Sequence, residues 1–154
     1  LDPSISTPEI SRAIQDAGFK YDSSARPSFQ LGQNKLSQEW DLSSNAQPYL
    51  ISKTNQNRSG SDNFNLLEIP NNGLDSYWST ADDMIQAFYD NYTPGTTADF
   101  SRIIVYLSHP EWFNIDDPKL RDLFDEVNNY RSDLDKGPVK FVTLKEWMEL
   151  EEKI

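Results

Sequence analysis

The sequence predicts an α/β domain built on a mainly parallel sheet. Three observations carry that expectation. Helix-period and strand-period segments alternate along the chain, the signature of right-handed βαβ units. Ile103 to Leu107 is a continuous apolar run, as expected of a strand buried on both faces. Pro, Gly and Asn punctuate the junctions between the periodic segments. At 154 residues the chain reads as one domain over 1–154, long enough to bury roughly two thirds of its unfolded surface.

The first helix is expected from Ser6 to Ala17, because Ile10, Ala13, Ile14 and Ala17 fall on one helical face. Thr7 caps it, Pro8 suits its first turn and Gly18 ends it. Phe19 to Ser24 reads as a short strand reaching a polar loop. Residues 26–62 form a long polar loop region rich in Ser, Asn, Gln, Gly and Pro, with a strand or hairpin expected near Tyr49 to Ser52. So long an irregular stretch is uncommon in a compact domain unless it is functional or mobile.

Phe64 to Pro70 is the next strand, stopped by proline and followed by the turn Asn71-Asn72-Gly73. Thr80 caps a helix with the stripe Met84, Ile85, Phe88 and Tyr92, closed by Pro94-Gly95. After the strand Ile103 to Leu107, a third helix is expected to begin after Asp116-Asp117-Pro118, with Leu120, Leu123, Phe124, Val127 and Tyr130 on one side. Gly137 and Pro138 break it. Val139 to Thr143 is the last expected strand, and Leu144 to Ile154 a last amphipathic helix carrying Trp147.

A net charge of −11 argues against nucleic acid and anionic lipid as partners, since duplex binding needs clustered Lys and Arg. No segment approaches the ~20 apolar residues of a spanning helix. Without cysteine there is no disulfide framework, thiolate metal site or Cys nucleophile. The opening Leu1-Asp2-Pro3 reads as a processed or partial product. Asn57-Arg58-Ser59 and Asn91-Tyr92-Thr93 permit glycosylation on export, although such tripeptides arise often by chance.

Chemistry centres on His109, the only histidine, placed where the strand Ile103 to Leu107 runs out. Ligands gather at the carboxyl ends of strands in α/β folds, and an imidazole titrates near neutral pH. Pro110 fixes the chain beyond it, and Trp112 and Phe113 supply ring faces for the apolar side of a sugar. The competing reading is a histidine that merely follows a strand. Glu68, amid Leu66, Leu67 and Ile69, is either a carboxyl with a raised pKa or a solvent-facing residue of an alternating strand. Gly73 to Trp78 adds two rings and an acid that either wall a pocket or begin a helix.

One histidine and no cysteine cannot build a three-ligand zinc site unless carboxylates take over. The acid pairs Asp82-Asp83, Asp116-Asp117 and Asp133-x-Asp135 read as helix N-terminal acids and solvated turns. There is no phosphate loop and no nucleophile elbow, and the single histidine gives no sign of a serine triad.

Four stretches are familiar. Pro8 to Ser24, with Ala17-Gly18-Phe19-Lys20-Tyr21-Asp22-Ser23-Ser24, resembles a helix–strand signature of the polysaccharide deacetylase family. Leu66-Leu67-Glu68-Ile69-Pro70 is similar to that family's next strand. Ile104 to Phe113 is similar to its late Leu-x-His motif, and Lys140 to Leu144 to its closing strand. The matches follow the family's order over nearly the whole chain.

The resemblance implies the C-terminal part of a distorted (β/α) barrel that removes N- or O-acetyl groups from an extracellular or cell-surface glycan. In that family a divalent metal, zinc first among candidates, is held by two histidines and an aspartate and activates water. The late histidine, here His109, is the general acid; Leu107 walls the acetyl pocket; Trp78, Trp112 and Glu68 are placed around substrate. The family's metal motifs lie before the first helix and have no counterpart here, so no metal is expected within this chain. The implied partners are the glycan and an N-terminal barrel half or another chain. The alternatives are a carbohydrate-binding or assembly module without a metal, and a small α/β interaction domain.

Overall fold

The computed structural model describes residues 7–26, 40–92, 102–133 and 138–151. Among the described residues four helices and three strands follow one another: α1 (Thr7–Asp16), β1 (Tyr21–Asp22), β2 (Tyr49–Ser52), β3 (Asn63–Glu68), α2 (Ala81–Tyr92), α3 (Phe113–Asn128) and α4 (Leu144–Glu151). Residues 27–39 of the polar loop, the Pro94-Gly95 helix stop, Asp135 and Gly137 lie outside the described residues. The chain falls into two compact units: Leu1–Asp75 with Ile104–Leu107, and Ser76–Ile103 with Ser108–Ile154.

The first unit is organised by β3. It lies at the centre of a sheet ordered β1-β3-β2, parallel to β1 and antiparallel to β2. The described sheet is therefore mixed, where the sequence predicts mainly parallel strands. The antiparallel pairing comes from the polar region, whose apolar island at Tyr49 to Ser52 does form the expected strand. Alternate side chains of β3 point to opposite faces, and Phe64, Leu66 and Glu68 share the buried one while Asn65 is exposed. Ile51, Phe64 and Leu66 form the core, with Ile14 of α1 and Tyr49 packed against them. The sequence places Ala13 and Ala17 on the inner face of α1, but both are exposed and the small Ser11 is buried instead. Gly18 adopts φ +89 just past the helix, the left-handed end that glycine permits.

Beyond Pro70 the turn is a fastening point. Asn71 donates its amide to the Ser23 carbonyl at 2.9 Å, and Asn72 donates to Ala46 at 2.9 Å while accepting from the Val105 N–H at 3.0 Å. A Cβ on Gly73 would lie 2.6 Å from the Tyr106 ring, so only glycine allows that approach. Within the strand predicted over 103–107, the chain makes one parallel bridge, Asp75↔Leu107, instead of a regular ladder. Between these contacts Leu74 holds φ 78, a left-handed backbone costing a non-glycine residue about 1–2 kcal/mol.

The second unit packs α2 on α3. Met84, Ala87 and Phe88 of α2 and Leu123 and Val127 of α3 are buried, and the Phe88 ring stacks on Tyr92 at 5.0 Å and meets Tyr130 at 5.1 Å. The third helix begins at Phe113, earlier than predicted, because the 3-10 turn Pro110–Trp112 leads straight into it. Pro118 then lies inside the helix, where its missing N–H leaves a vacancy opposite the carbonyl of exposed Asn114. Val139 to Thr143, predicted as a strand, has no ladder, and Phe141 remains exposed despite its edge contact with Phe124. Asn91 is buried with its amide donating to the Ala87 carbonyl, so folded α2 withholds that glycosylation site.

Thr80 starts α2 with a reciprocal cap: Asp83 N–H donates to its hydroxyl at 3.1 Å, and Thr80 N–H donates to the Asp83 carboxylate at 2.9 Å. Replacing Thr80 with alanine should cost about 1 kcal/mol of folding stability, read by urea denaturation. An unchanged midpoint would show that α2 is held by packing alone.

Candidate functional site

The candidate residues divide between the units: Glu68 and Leu107 belong to the first, Trp78, His109 and Trp112 to the second. Leu107 is half-buried and its N–H donates to the Leu74 carbonyl at 3.1 Å, which makes it part of the backbone tie to Asp75.

Glu68 ends β3 in register with Asp22 on one side and Tyr49 on the other. Its alternation with Phe64 and Leu66 turns it inward and leaves it 0% exposed, which resolves the choice posed by the sequence against the solvent-facing reading. Oε1 accepts the Ala25 N–H at 2.9 Å, whereas Oε2 is buried with no hydrogen-bond partner. Burial pushes the carboxyl up to about 8; the Asp22 charge adds to this and the Ala25 and Ser24 amides oppose it. Glu68 is thus a neutral acid at pH 7, with a proton to place on an unpartnered oxygen. Burial also raises the Tyr49 phenol, with the Glu68 charge second. Beside this rim Arg26 Nη1 lies 3.3 Å from Oδ2 of buried Asp75.

In the second unit, the loop after Asp75 brings rings to His109. The Tyr77 ring meets the imidazole at 6.0 Å and 74°, and Trp78 meets Tyr77 at 4.6 Å and 81°. Trp78 is 53% exposed and Tyr77 38%, while His109 is half-buried. An imidazole flanked by open ring faces has the means to transfer a proton and to pack on the apolar face of a sugar. Trp112 takes part by its backbone, in the turn Pro110–Trp112 that follows His109.

Asp116 was not among the residues singled out from the sequence, where it reads as a helix N-terminal acid. It is 0% exposed. Oδ2 accepts the Ser76 hydroxyl at 2.5 Å and the His109 N–H at a long 3.4 Å, while Oδ1 has no partner. Lys119 donates to the Ser76 carbonyl at 2.7 Å, tying the same loop to α3 a second time. A signal was present: Asp116 stands at helical spacing from Leu120, Leu123 and Val127, on the stripe that packs inward. Glu68 carries the matching signal in a strand, in phase with Phe64 and Leu66.

The metal set implied by the resemblance needs two histidines and an aspartate, but the chain has one histidine. Among the described residues no group of three or more His, Cys, Asp or Glu is placed to hold a metal ion. The residues present do not fit that group. Among the described residues no helix is long and apolar enough to cross a membrane. Compared with protein-family models, curated proteins and solved structures, the chain matches none.

Proposed function

We propose that this chain supplies the glycan-facing, proton-donating part of a carbohydrate deacetylase-like hydrolase, with His109 as general acid. The observation that carries the reading is the grouping of His109 with the open rings of Tyr77 and Trp78. The order of similar segments along the sequence adds to it, as does the parallel pairing of β1 with β3. The three strands among the described residues are too few to close a barrel, which needs about eight. In this reading the remaining strands, and the ligands of any metal, come from further polypeptide, either an N-terminal half or another chain. The location is extracellular or at the cell surface, where acetylated glycans lie.

The proton balance is simple. Water adds its oxygen to the acetyl carbon as one of its protons passes to a carboxylate base of the completing polypeptide, and the C–N or C–O bond to the sugar breaks as His109 gives a proton to the leaving nitrogen or oxygen; the proton held by the base then restores His109. Acetate and a deacetylated sugar result. Trp78 offers a ring to the sugar.

A second reading, a binding module without catalysis, is favoured by the exposure of Trp78 and Tyr77 alone. The two readings share one test. Trp78→Ala should weaken binding of N-acetylglucosamine oligomers or O-acetylated xylan about tenfold, the worth of one good ring contact, read by tryptophan fluorescence. Failure of the wild-type chain to bind either glycan would remove both. If it binds, acetate release that requires His109 in the protein with its completing polypeptide favours the hydrolase, and binding without any release there favours the module.

A further inference from the structure

We propose that Asp116 is a positioning residue that sets the orientation of the His109 imidazole. This rests on the reading of His109 as the proton donor, and deepens it. Three segments of the second unit meet at one carboxylate: the loop carrying Ser76, Tyr77 and Trp78, the turn at His109, and the first turn of α3. Its Oδ2 accepts from the Ser76 hydroxyl and from the His109 backbone N–H. The imidazole itself meets the edge-to-face Tyr77 ring, whose neighbour in sequence, Ser76, is held to Asp116. Backbone and ring are fixed from one anchor.

The burial of that anchor separates orientation from simple packing. A fully buried carboxylate with Oδ1 unpartnered is a costly means of joining two loops, and an apolar residue of similar volume would join them at lower cost. What an apolar residue lacks is an acceptor at the point where the Ser76 hydroxyl and the His109 N–H converge. The role is therefore that of an acceptor, and asparagine, which keeps a carbonyl oxygen there, should serve in its place. Alanine should not. Asp117, one residue on, pairs instead with Arg121 at 2.7 Å and serves as the control.

The chain's single histidine makes the test direct, because its imidazole Cε1–H gives one proton resonance that needs no assignment. In the intact chain that resonance should stand displaced from the free-histidine position by the Tyr77 ring, and Tyr77→Leu should remove the displacement. Asp116→Ala should abolish most of it, while Asp116→Asn and Asp117→Asn keep it, with circular dichroism showing all the variants folded. If Asp116→Ala does not fold, Ser76→Ala should shift the resonance in the same direction. A folded Asp116→Ala or Ser76→Ala with the wild-type resonance overturns the proposal. So does Asp116→Asn behaving like alanine, since charge and not acceptor geometry would then be at work. Where acetate release is measurable, Asp116→Ala should lower kcat about 10–10²-fold with KM unchanged, and Asp116→Asn should restore it. Acetate release that needs His109 but ignores Asp116 sinks this proposal and leaves the hydrolase reading standing. A displaced resonance that obeys Asp116 in a chain that binds no glycan supports the positioning role and sinks the glycan reading alone.

Discussion

Raising the pH from about 5 to about 8 is expected to remove roughly 4 kcal/mol of folding stability through Glu68 alone. The sign follows from which state holds the proton. In the folded chain, burial keeps the carboxyl protonated up to about 8, whereas an unfolded glutamate releases its proton near 4.5. Between those values the native state binds more protons than the unfolded one, so stability falls as pH rises, by at most about 1.4 kcal/mol per unit. The contribution is complete below the unfolded value and is lost on passing through the folded one. Glu68→Gln leaves an oxygen to accept the Ala25 N–H and removes the titration. Urea denaturation should therefore give a slope for wild type and a much flatter line for Glu68→Gln. Parallel lines would show that the carboxyl is not held neutral.

The capped carboxylates act in a different window. Hydrogen bonds from Thr80 lower the Asp83 carboxyl and those from Thr143 lower Glu146. Their contribution is present at neutral pH and fades only as the pH falls through their depressed folded values, below the usual carboxylate range. Acid loss and alkaline loss therefore belong to separate residues.

His109→Ala is expected to reduce acetate release roughly 10²-fold in the intact protein, the usual size of a general-acid effect. Binding of the acetylated glycan should change little, because the ring surface of Trp78 remains. In a kinetic assay the loss would fall on kcat. A loss confined to KM would recast His109 as a contact to substrate, and an unchanged rate would assign the proton to another group.

Much of this architecture follows from side-chain periodicity. β2 at Tyr49–Ser52 and α2 at Ala81–Tyr92 lie where turn residues and apolar spacing put them. Ile103 to Leu107 and Val139 to Thr143 are less regular because an apolar run encodes burial or β-propensity, not the presence of a neighbour to pair with. The first gains a single bridge at Leu107, and the second leaves Phe141 exposed beside Phe124. His109 was legible as a residue type at the end of an apolar run, and Trp78 as a ring in the loop after the strand Phe64 to Pro70. That Tyr77 would stand between their rings was not, since contact across 32 positions has no local pattern. Asp116 was hidden for another reason. An acid in a first helical turn is common at the surface, and only its phase with Leu123 and Val127 marks it as inward-facing.

In the proposed function, the rings of Tyr77 and Trp78 present His109 to a sugar. Titrating N-acetylglucosamine oligomers or O-acetylated xylan into the wild-type chain, while following the lone imidazole resonance, tests this without requiring turnover. A saturable shift of that resonance with at least one of the two glycans, greatly weakened in Trp78→Ala, is the expected result. A resonance that stays fixed through both titrations would contradict it.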